Sequence, residues 1–474
     1  MIFNSFIFLI FLGIVLPVFY WLPTKKSKNL FLVIASYFFY GYWDWRFCTL
    51  LAFTTFTDFY IGKQIASLSD DKKRKLWLII SLVINLGILG FFKYFNFFVD
   101  NIHAVSTQLG FGLDFLHLNI ILPVGLSFYI FHNLSYITDI YRRKIQPSDD
   151  IIDFGLFVTF FPQLVAGPIG RADALLPQLT KFLKPTKEQI KEGIVLIIYG
   201  LFRKVMIGDT TGRYVDHIFE NMGEYKAFEI ICALILFSIQ IYADFSGYTH
   251  IARGTSKLFG VELMKNFEQP YLSRNITEFW RRWHISLSSW LRDYLYISLG
   301  GNRNGKLRTY INLFITMLLG GLWHGASWNF VIWGALHGLY LAIHKMMTKD
   351  GPTLTKNLKR FTFKDIVNIL FTNALVIFTW LFFRSTSWDT TTIFFSKMAN
   401  WESSEYTLWF AIVTLIFVVL TVIIDLLEYL TGKHTYLLRI KPTSVLLGLL
   451  TGLLVFTLFY LYQSKPMPFI YFKF

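Results

Sequence analysis

Residues 408–427, LWFAIVTLIFVVLTVIIDLL, run for 20 positions with a single charged side chain, Asp425. A helix of about 20 apolar residues spans the hydrocarbon layer of a bilayer. Comparable runs occupy 6–22, 76–92 and 230–242, and the chain is 54% hydrophobic and 16% charged. A soluble domain carries roughly a quarter charged residues. The sequence therefore predicts a polytopic membrane protein and excludes disordered, nucleic-acid-binding and disulfide-rich secreted classes.

Apolar segments recur along the whole chain, and several are too short to cross a bilayer unaided. We predict an all-α protein with about 11 or 12 transmembrane helices, the remaining short helices being buried or re-entrant. Residues 1–474 are expected to form one membrane-embedded domain. The predicted segments are roughly 3–22, 29–43, 46–66, 76–98, 117–140, 151–168, 187–208, 226–246, 274–298, 309–322, 327–347, 364–383, 406–430 and 442–463.

The net charge of +15 indicates how the chain is oriented. Loops rich in Lys and Arg stay in the cytoplasm, which predicts cytoplasmic loops at 24–28, 72–75, 345–364 and 433–441. The loops at 99–116, 209–225 and 386–405 have few basic residues and are predicted outside, as is the N-terminus. Neither a positive n-region nor a cleavage site accompanies the first helix, so we expect it to be retained. The two cysteines form no disulfide framework or metal-ligand pattern, and no bound metal is expected.

The section 265–308 carries a local charge of +5, yet its pattern predicts one helix that begins near Asn275 and is ended by Gly300-Gly301-Asn302. Asn275 or Thr277 is the expected cap. An arginine-rich amphipathic helix commonly lies at the membrane surface, paired with lipid phosphate. The alternative is that this helix lines a funnel for a polyanionic donor.

Two of the ten histidines stand out as site candidates. Ionisable groups inside a membrane are functional candidates, although a lone histidine often only bonds between helices. His324 lies among glycines where two apolar segments meet, and irregular backbone at that depth borders protein or a cavity. His284 lies on the basic helix, where helical spacing predicts an aromatic and apolar face of Trp280, Leu287 and Leu291 around it.

His337 follows His324 by 13 positions. On one continuous helix this spacing gives about 20 Å of rise and roughly 220° of rotation, so both could not serve one reacting atom unless the helix broke between them. We favour His324 and assign His337 to helix packing. An imidazole can take the proton of a hydroxyl that attacks a thioester, and a second imidazole or amide can hold the thioester carbonyl.

The histidines lie in motifs that resemble the membrane-bound O-acyltransferases. The matching stretches are LPVGLSF (122–128), FPQLVAGPIGR (161–171), QIYADFSGY (240–248), FWRRWHISLS (279–288), LWHGASW (322–328), WGALHG (333–338) and FIYFKF (469–474). The resemblance covers essentially the whole chain, with the family core at roughly 117–350. It is nearest to the branch of alginate and peptidoglycan O-acetyltransferases and teichoic acid D-alanyl transfer proteins.

The resemblance implies a ring of tilted helices around a central tunnel. Within it, the family's catalytic histidine falls on His324 and its second polar active-site residue, His or Asn, on His284. The basic helix then becomes a wall of the donor funnel, although Asp244 and Tyr242 could equally serve interhelical hydrogen bonding. The residues expected to bind the donor or line the tunnel are Arg281, Arg282, Trp283, Ser288, Arg292, Asp244, Tyr242 and Trp323.

The expected function is transfer of acetyl from a cytoplasmic thioester such as acetyl-CoA, with no bound cofactor, to an envelope or exported polysaccharide. An alginate-like polymer or peptidoglycan is the expected acceptor, and the bacterial cytoplasmic (inner) membrane the expected location. The resemblance also implies a separate extracytoplasmic, esterase-like acetyltransferase as partner, and no nucleic-acid partner is expected. The alternatives are D-alanyl transfer to teichoic acid from a carrier protein, and a lipid or solute transporter. Against a transporter, no paired interrupted helices occur in corresponding halves.

Overall fold

The computed structural model describes residues 1–111, 117–165, 167–348, 361–385, 387–402, 404–439, 444–463 and 467–472. These ranges are helical and contain no β-strand, which confirms the all-α class. The helices are α1 (Phe6–Trp21), α2 (Lys25–Asp44), α3 (Phe47–Ser67), α4 (Asp71–Leu89), α5 (Phe95–Gln108), α6 (Leu126–Tyr141), α7 (Ile151–Thr159), α8 (Phe161–Leu164), α9 (Ala172–Leu179), α10 (Lys187–Leu201), α11 (Thr210–Glu220), α12 (Ala227–Leu258), α13 (Ile276–Arg282), α14 (Ile285–Trp290), α15 (Gly305–His324), α16 (Trp328–Met347), α17 (Phe363–Arg384), α18 (Trp388–Ala399), α19 (Thr407–Thr431) and α20 (Ser444–Gln463). Wider π-helical turns follow α4 (Gly90–Tyr94), α10 (Phe202–Asp209) and α14 (Leu291–Tyr296).

Among the described residues, four helical stretches are long and apolar enough to cross a membrane: Asp71–Gln108, α12, α17 and α19. Asp71–Gln108 joins α4, its π-turn and α5 into 38 residues. A polytopic membrane protein is therefore confirmed, and the number of crossings stays a prediction. The predicted loops 99–116, 209–225 and 386–405 were wrong in part, because α5 extends to Gln108 and the other two contain α11 and α18.

Polar contacts gather the ends of several helices at one face of the molecule. Lys25 at the start of α2 pairs with Asp153 at 2.6 Å, near the start of α7. Arg74 of α4 donates to the carbonyl oxygen of Tyr141, at the end of α6, at 2.9 Å. We call this side the basic face, because the predicted cytoplasmic loops 24–28 and 72–75 meet there.

The side remote from Lys25 is the opposite face, where loops predicted outside come together. Arg384, at the end of α17, pairs with Asp216 of α11 at 2.9 Å. Lys397 of α18 donates to the carbonyl oxygen of Gly223 at 2.6 Å. The described parts of loops 24–28 and 72–75 therefore lie on one face and those of loops 209–225 and 386–405 on the other, while the orientation of the faces in the membrane stays a prediction.

Helix α12 lies at the centre of the fold. In the most apolar stretch of α12, 83% of the residues are buried, against 28% in the most apolar stretch of α19. Helix α12 is therefore surrounded by protein, whereas much of α19 faces outward. Helix α10 approaches α12 closely, because a Cβ on Gly200 would lie 2.6 Å from the carbonyl oxygen of Gly247. Small residues permit such close helix contacts in membranes.

A buried ionic cluster attaches α19 to this centre. Arg203, in the π-turn after α10, donates to Asp425 of α19 at 2.9 Å, and the hydroxyl of Tyr242 donates to the same carboxylate at 2.9 Å. The hydroxyl of Tyr199 donates to Glu428 of α19 at 2.5 Å. The single charge within residues 408–427 is therefore paired inside the protein.

Candidate active site

His324 is the last residue of α15, and the chain reverses directly after it. Gly325 is extended, and α16 begins at Trp328. The two helices pack as a close antiparallel hairpin, since a Cβ on Gly321 would lie 2.2 Å from the carbonyl oxygen of Phe330. The helix thus breaks between His324 and His337, as the predicted segments 309–322 and 327–347 implied, so the spacing argument on one continuous helix does not separate the two histidines.

The Trp333 ring lies close to both histidines of the hairpin. Its centroid is 5.0 Å from that of His324 and 4.7 Å from that of His337. Both ring nitrogens of His337 are engaged: Nδ1 accepts from Trp280 Nε1 at 3.3 Å, and Nε2 lies 2.9 Å from Thr379 Oγ1. His337 therefore has no ring nitrogen left for a substrate in this arrangement.

The basic helix is broken at His284, so its prediction as one helix was wrong. Asn275 does cap α13, accepting from the Glu278 backbone N–H at 2.8 Å. However, α13 ends at Arg282, and His284 has φ +42° and ψ +55° before α14 begins. The predicted face of Trp280, Leu287 and Leu291 around His284 consequently does not exist as one helical surface.

Tertiary hydrogen bonds hold this break open. The backbone N–H of Ile285 donates to the carbonyl oxygen of Asn266 at 2.9 Å, and that of Glu268 to Arg282 at 3.0 Å. A left-handed conformation costs a residue with a Cβ about 1–2 kcal/mol. Such strain persists where surrounding contacts enforce it, and it clusters at functional sites.

The structure brings His284 and His324 to one pair of aromatic rings. The Trp323 centroid lies 5.0 Å from His324 and 6.1 Å from His284. The Tyr471 centroid lies 5.4 Å from His324 and 6.4 Å from His284. The two predicted site histidines, 40 positions apart in the sequence, therefore lie against the same two rings, one of which is the predicted residue Trp323. We call the space around Trp323 and Tyr471 the aromatic chamber. Sequence reasoning missed Tyr471 as a site residue.

Both imidazoles are buried with unused hydrogen-bonding capacity. His284 is 0% exposed and His324 4%. Neither ring nitrogen of His284, nor Nδ1 of His324, has a hydrogen-bond partner among the described residues. Because buried polar atoms are nearly always paired, such atoms indicate a place where water or a ligand binds.

A cavity of about 760 Å³ opens at His324. Its lining is mostly apolar and aromatic, and it runs from Trp323 and Tyr471 to Met1 and Trp43, toward the opposite face. Ligand sites are commonly mostly apolar cavities of this size with a few polar groups. The cavity gives His324 access to a substrate from that side.

The predicted donor residues on the basic helix are not equivalent. Arg281 is exposed and forms no ion pair within the described ranges. Arg282 is held by Glu278 at 2.8 Å, and Arg292 by Asp293 at 2.6 Å. Burial alone would raise the pKa of Asp293, but the hydrogen bonds it accepts from arginines lower it. Arg281 is therefore the basic side chain of this group that remains open to an anion.

The side chains of Trp283, Ser288, Asp244 and Tyr242 bond or pack elsewhere in the protein and not with the two imidazoles. Trp283 is buried against Trp380, with ring centroids 5.1 Å apart, and Ser288 Oγ donates to the Trp283 carbonyl oxygen at 3.0 Å. Asp244 pairs with Lys204 at 3.0 Å and accepts from the Ile470 N–H at 3.0 Å. Neither Asp244 nor Tyr242 hydrogen-bonds His324. Asp244 instead anchors the segment that carries Tyr471.

Lys93 is a second site residue that sequence reasoning missed. Its Nζ donates to the carbonyl oxygens of Trp323 and His324, the latter at 3.1 Å, and it lines the cavity. A lysine inside the apolar segment 76–98 was the available signal, since charges within membrane segments mark functional positions.

One group of ligand-type side chains lies apart from this chamber. His250, Glu428 and His434 bring ligand atoms within 4.8 Å of one another, which among the described residues is the grouping that could hold a metal ion. However, Arg253 Nη1 lies 3.2 Å from His434 Nδ1, and Arg203 lies 3.7 Å from Glu428. Two guanidinium groups disfavour a divalent cation there by repulsion.

The chain is similar in sequence to known acyltransferases. Residues 141–388 match the membrane-bound O-acyltransferase family. The chain is 42% identical over 411 residues to the probable alginate O-acetylase AlgI of Pseudomonas putida, covering 85% of this chain and 82% of that protein. It is 34% identical over 399 residues to the peptidoglycan O-acetyltransferase of Helicobacter pylori, with coverages of 77% and 73%. It is 28% identical over 242 residues to the teichoic acid D-alanyltransferase of Bacillus subtilis, with coverages of 49% and 61%.

The family match includes both buried histidines, and two of these likenesses extend over more than three quarters of the chain. The resemblance seen in the motifs is thereby confirmed. This protein belongs to the membrane-bound O-acyltransferase family and is an acyltransferase.

Proposed function

We propose that this protein transfers acetyl from a cytoplasmic thioester such as acetyl-CoA for O-acetylation of an envelope or exported polysaccharide. The observation that carries the proposal is the aromatic chamber, where two buried histidines with unpaired nitrogens lie against Trp323 and Tyr471 and His324 lines a cavity. Relatives named for alginate and peptidoglycan O-acetylation support acetyl as the acyl group. An alginate-like polymer or peptidoglycan is the acceptor we favour, in the bacterial cytoplasmic membrane.

In the proposed reaction, His324 is the general base. It takes the proton of the acceptor hydroxyl while that oxygen forms a bond to the thioester carbonyl carbon. The carbon–sulfur bond then breaks, and the thiolate takes the proton from the imidazole. His284 holds the carbonyl oxygen as negative charge develops on it. The surrounding aromatic rings keep water out, which limits hydrolysis of the thioester.

The two substrates approach from different faces in this proposal. The donor comes from the basic face, where Arg281 is open to an anionic group. The acceptor comes through the cavity, whose far end is lined by Met1 and Trp43 near the opposite face. With the N-terminus outside, as the loop charges predict, this route leads outward. We infer that an extracytoplasmic, esterase-like transferase supplies the acceptor hydroxyl there and then passes the acetyl group to the polysaccharide, which is the final acceptor.

The test uses purified protein in liposomes with radiolabelled acetyl-CoA or a D-alanyl carrier protein, and polysaccharide acetylation in cells. His324→Ala is expected to lower acetyl transfer by about 10²–10⁴-fold, the usual contribution of a general base. The control is His117→Ala, whose side chain is 57% exposed in a loop. Near-normal acetylation by a membrane-inserted His324→Ala protein would refute the assignment.

The same assay decides between the alternatives. Transfer of D-alanine and not acetyl would favour the teichoic acid reaction, for which the B. subtilis relative covers 49% of the chain. Solute or lipid movement that needs neither acyl donor nor His324 would favour a transporter.

A further inference from the structure

The end of α15 creates an unusual requirement for hydrogen bonds. The final carbonyl groups of a helix have no partner within it, and water is scarce at membrane depth. The carbonyl of Gly321 accepts from the Gly325 N–H at 3.4 Å. The carbonyls of Leu322, Trp323 and His324 follow it and must find donors elsewhere.

Two consecutive side chains supply those donors. Tyr94 OH donates to the Leu322 carbonyl oxygen at 2.6 Å, and Lys93 Nζ donates to those of Trp323 and His324. We call Lys93 and Tyr94 the carbonyl clamp. Both belong to the π-turn Gly90–Tyr94, and π-turns inside helices often occur at functional sites.

Capping alone does not explain why the clamp contains a lysine. A neutral donor such as a glutamine amide could bond a carbonyl without bringing a charge into the membrane. Lys93 forms no ion pair with the described part of the chain, yet it borders the cavity beside His324. A cation does interact favourably with the negative end of a helix dipole, and the last turn of α15 presents that end. In its ammonium form Lys93 offers three N–H donors and a favourable interaction with that end, which strengthens the attachment of the residue that bears the imidazole.

We propose that Lys93 and Tyr94 are positioning residues for His324. They fix the last turn of α15 so that the His324 imidazole keeps its place at the cavity wall during acyl transfer. The clamp touches the His324 backbone and not the reacting atoms, so its effect falls on the rate of turnover and not on binding of the donor. This inference rests on the proposed function for its activity assay.

The test compares Lys93→Met, Lys93→Arg and Tyr94→Phe for transfer from radiolabelled acetyl-CoA in membrane vesicles. A displacement of about 1 Å can lower a rate about 100-fold, and we expect Lys93→Met to lower kcat to that extent. We expect KM for acetyl-CoA to stay within about twofold, because donor binding is left intact. Lys93→Arg keeps the charge and donors and should recover most of kcat, while Tyr94→Phe should have a smaller effect.

The matched control is Lys28→Met. Lys28 is a buried lysine that, like the partly buried Lys93, donates to a backbone carbonyl, that of Leu183 at 3.0 Å, but it lies near the basic face away from the chamber. Lys28→Met should keep the wild-type kcat. A Lys93→Met protein with the kcat of this control would overturn the proposal. So would a raised KM with unchanged kcat, which would make Lys93 a binding residue.

A second readout does not depend on acyl transfer. The rate at which diethyl pyrocarbonate modifies His324, followed by peptide mass mapping, should change severalfold in Lys93→Met and Tyr94→Phe but not in Lys28→Met. Unchanged modification in both clamp variants would overturn the clamp. If the wild type transfers no acetyl from acetyl-CoA, the proposed function fails, while this comparison still decides the role of Lys93 and Tyr94.

Discussion

Replacement of His284 separates its backbone requirement from its chemistry. The residue has φ +42°, which asparagine and histidine adopt more readily than other residues with a Cβ, and which a β-branched residue adopts only under strain. Its ring is 0% exposed and packs edge-to-face on Phe245 at a centroid distance of 4.7 Å. The informative series is therefore His284→Asn, His284→Ala and His284→Val.

The expected magnitudes follow from these features. Removing a buried ring leaves a cavity, so Ala should lower the free energy of unfolding by about 2–4 kcal/mol. Val fills more of that space but should be no more stable than Ala, because strain at positive φ adds about 1–2 kcal/mol. If His284 stabilises the developing oxyanion, Ala should lower kcat about 10²–10³-fold. Asn keeps an N–H donor and a tolerated backbone, so its kcat should fall about tenfold.

The assay pairs thermal unfolding in detergent with acetyl transfer by protein of equal membrane content. The decisive comparison is kcat for Asn against Ala. If Ala matches Asn in kcat, no polar group is needed at this position, and the role assigned to His284 is wrong. If Val is markedly more stable than Ala, the left-handed backbone is not the constraint that the geometry indicates.

The remaining predictions concern His337 and the basic helix. His337→Leu leaves the Trp280 N–H unpaired and should lower unfolding free energy by about 1–3 kcal/mol, with kcat of the folded protein near wild type; a loss of kcat equal to that of His324→Ala would contradict this. Arg281→Ala should raise KM for acetyl-CoA, more so at low salt, because this guanidinium is open to an anion. Arg282→Ala, which breaks the pair with Glu278, should change stability more than KM, and equal KM effects of the two variants would remove the distinction.

The sequence predicted the location of His324 because local signals coincide there: two apolar runs, flanking glycines and an ionisable side chain. It failed at His284 because the break depends on backbone hydrogen bonds of Ile285 with Asn266 and of Glu268 with Arg282, which periodicity does not reveal. The spacing of His324 and His337 could separate the two only on one continuous helix, and the chain reverses between them at Gly325. No local pattern predicts that Tyr471 lies in the chamber. Its position depends on a contact distant in sequence, in which the N–H of the neighbouring Ile470 donates to Asp244.

The pairing of Asp425 with Arg203 bears on how the chain is made. An acidic residue in a transmembrane helix opposes insertion by the translocon, by about 3 kcal/mol at the helix centre and by less toward its ends, and α19 contains Asp425 and Glu428 in its last two turns. Arg203 precedes Asp425 by 222 residues, so it is synthesised and in the bilayer long before α19 emerges from the ribosome. We expect α19 to leave the translocon readily only when the earlier helices are assembled to receive its two carboxylates. Helix α19 thus joins the fold late, after the earlier helices that bind its carboxylates have entered the membrane.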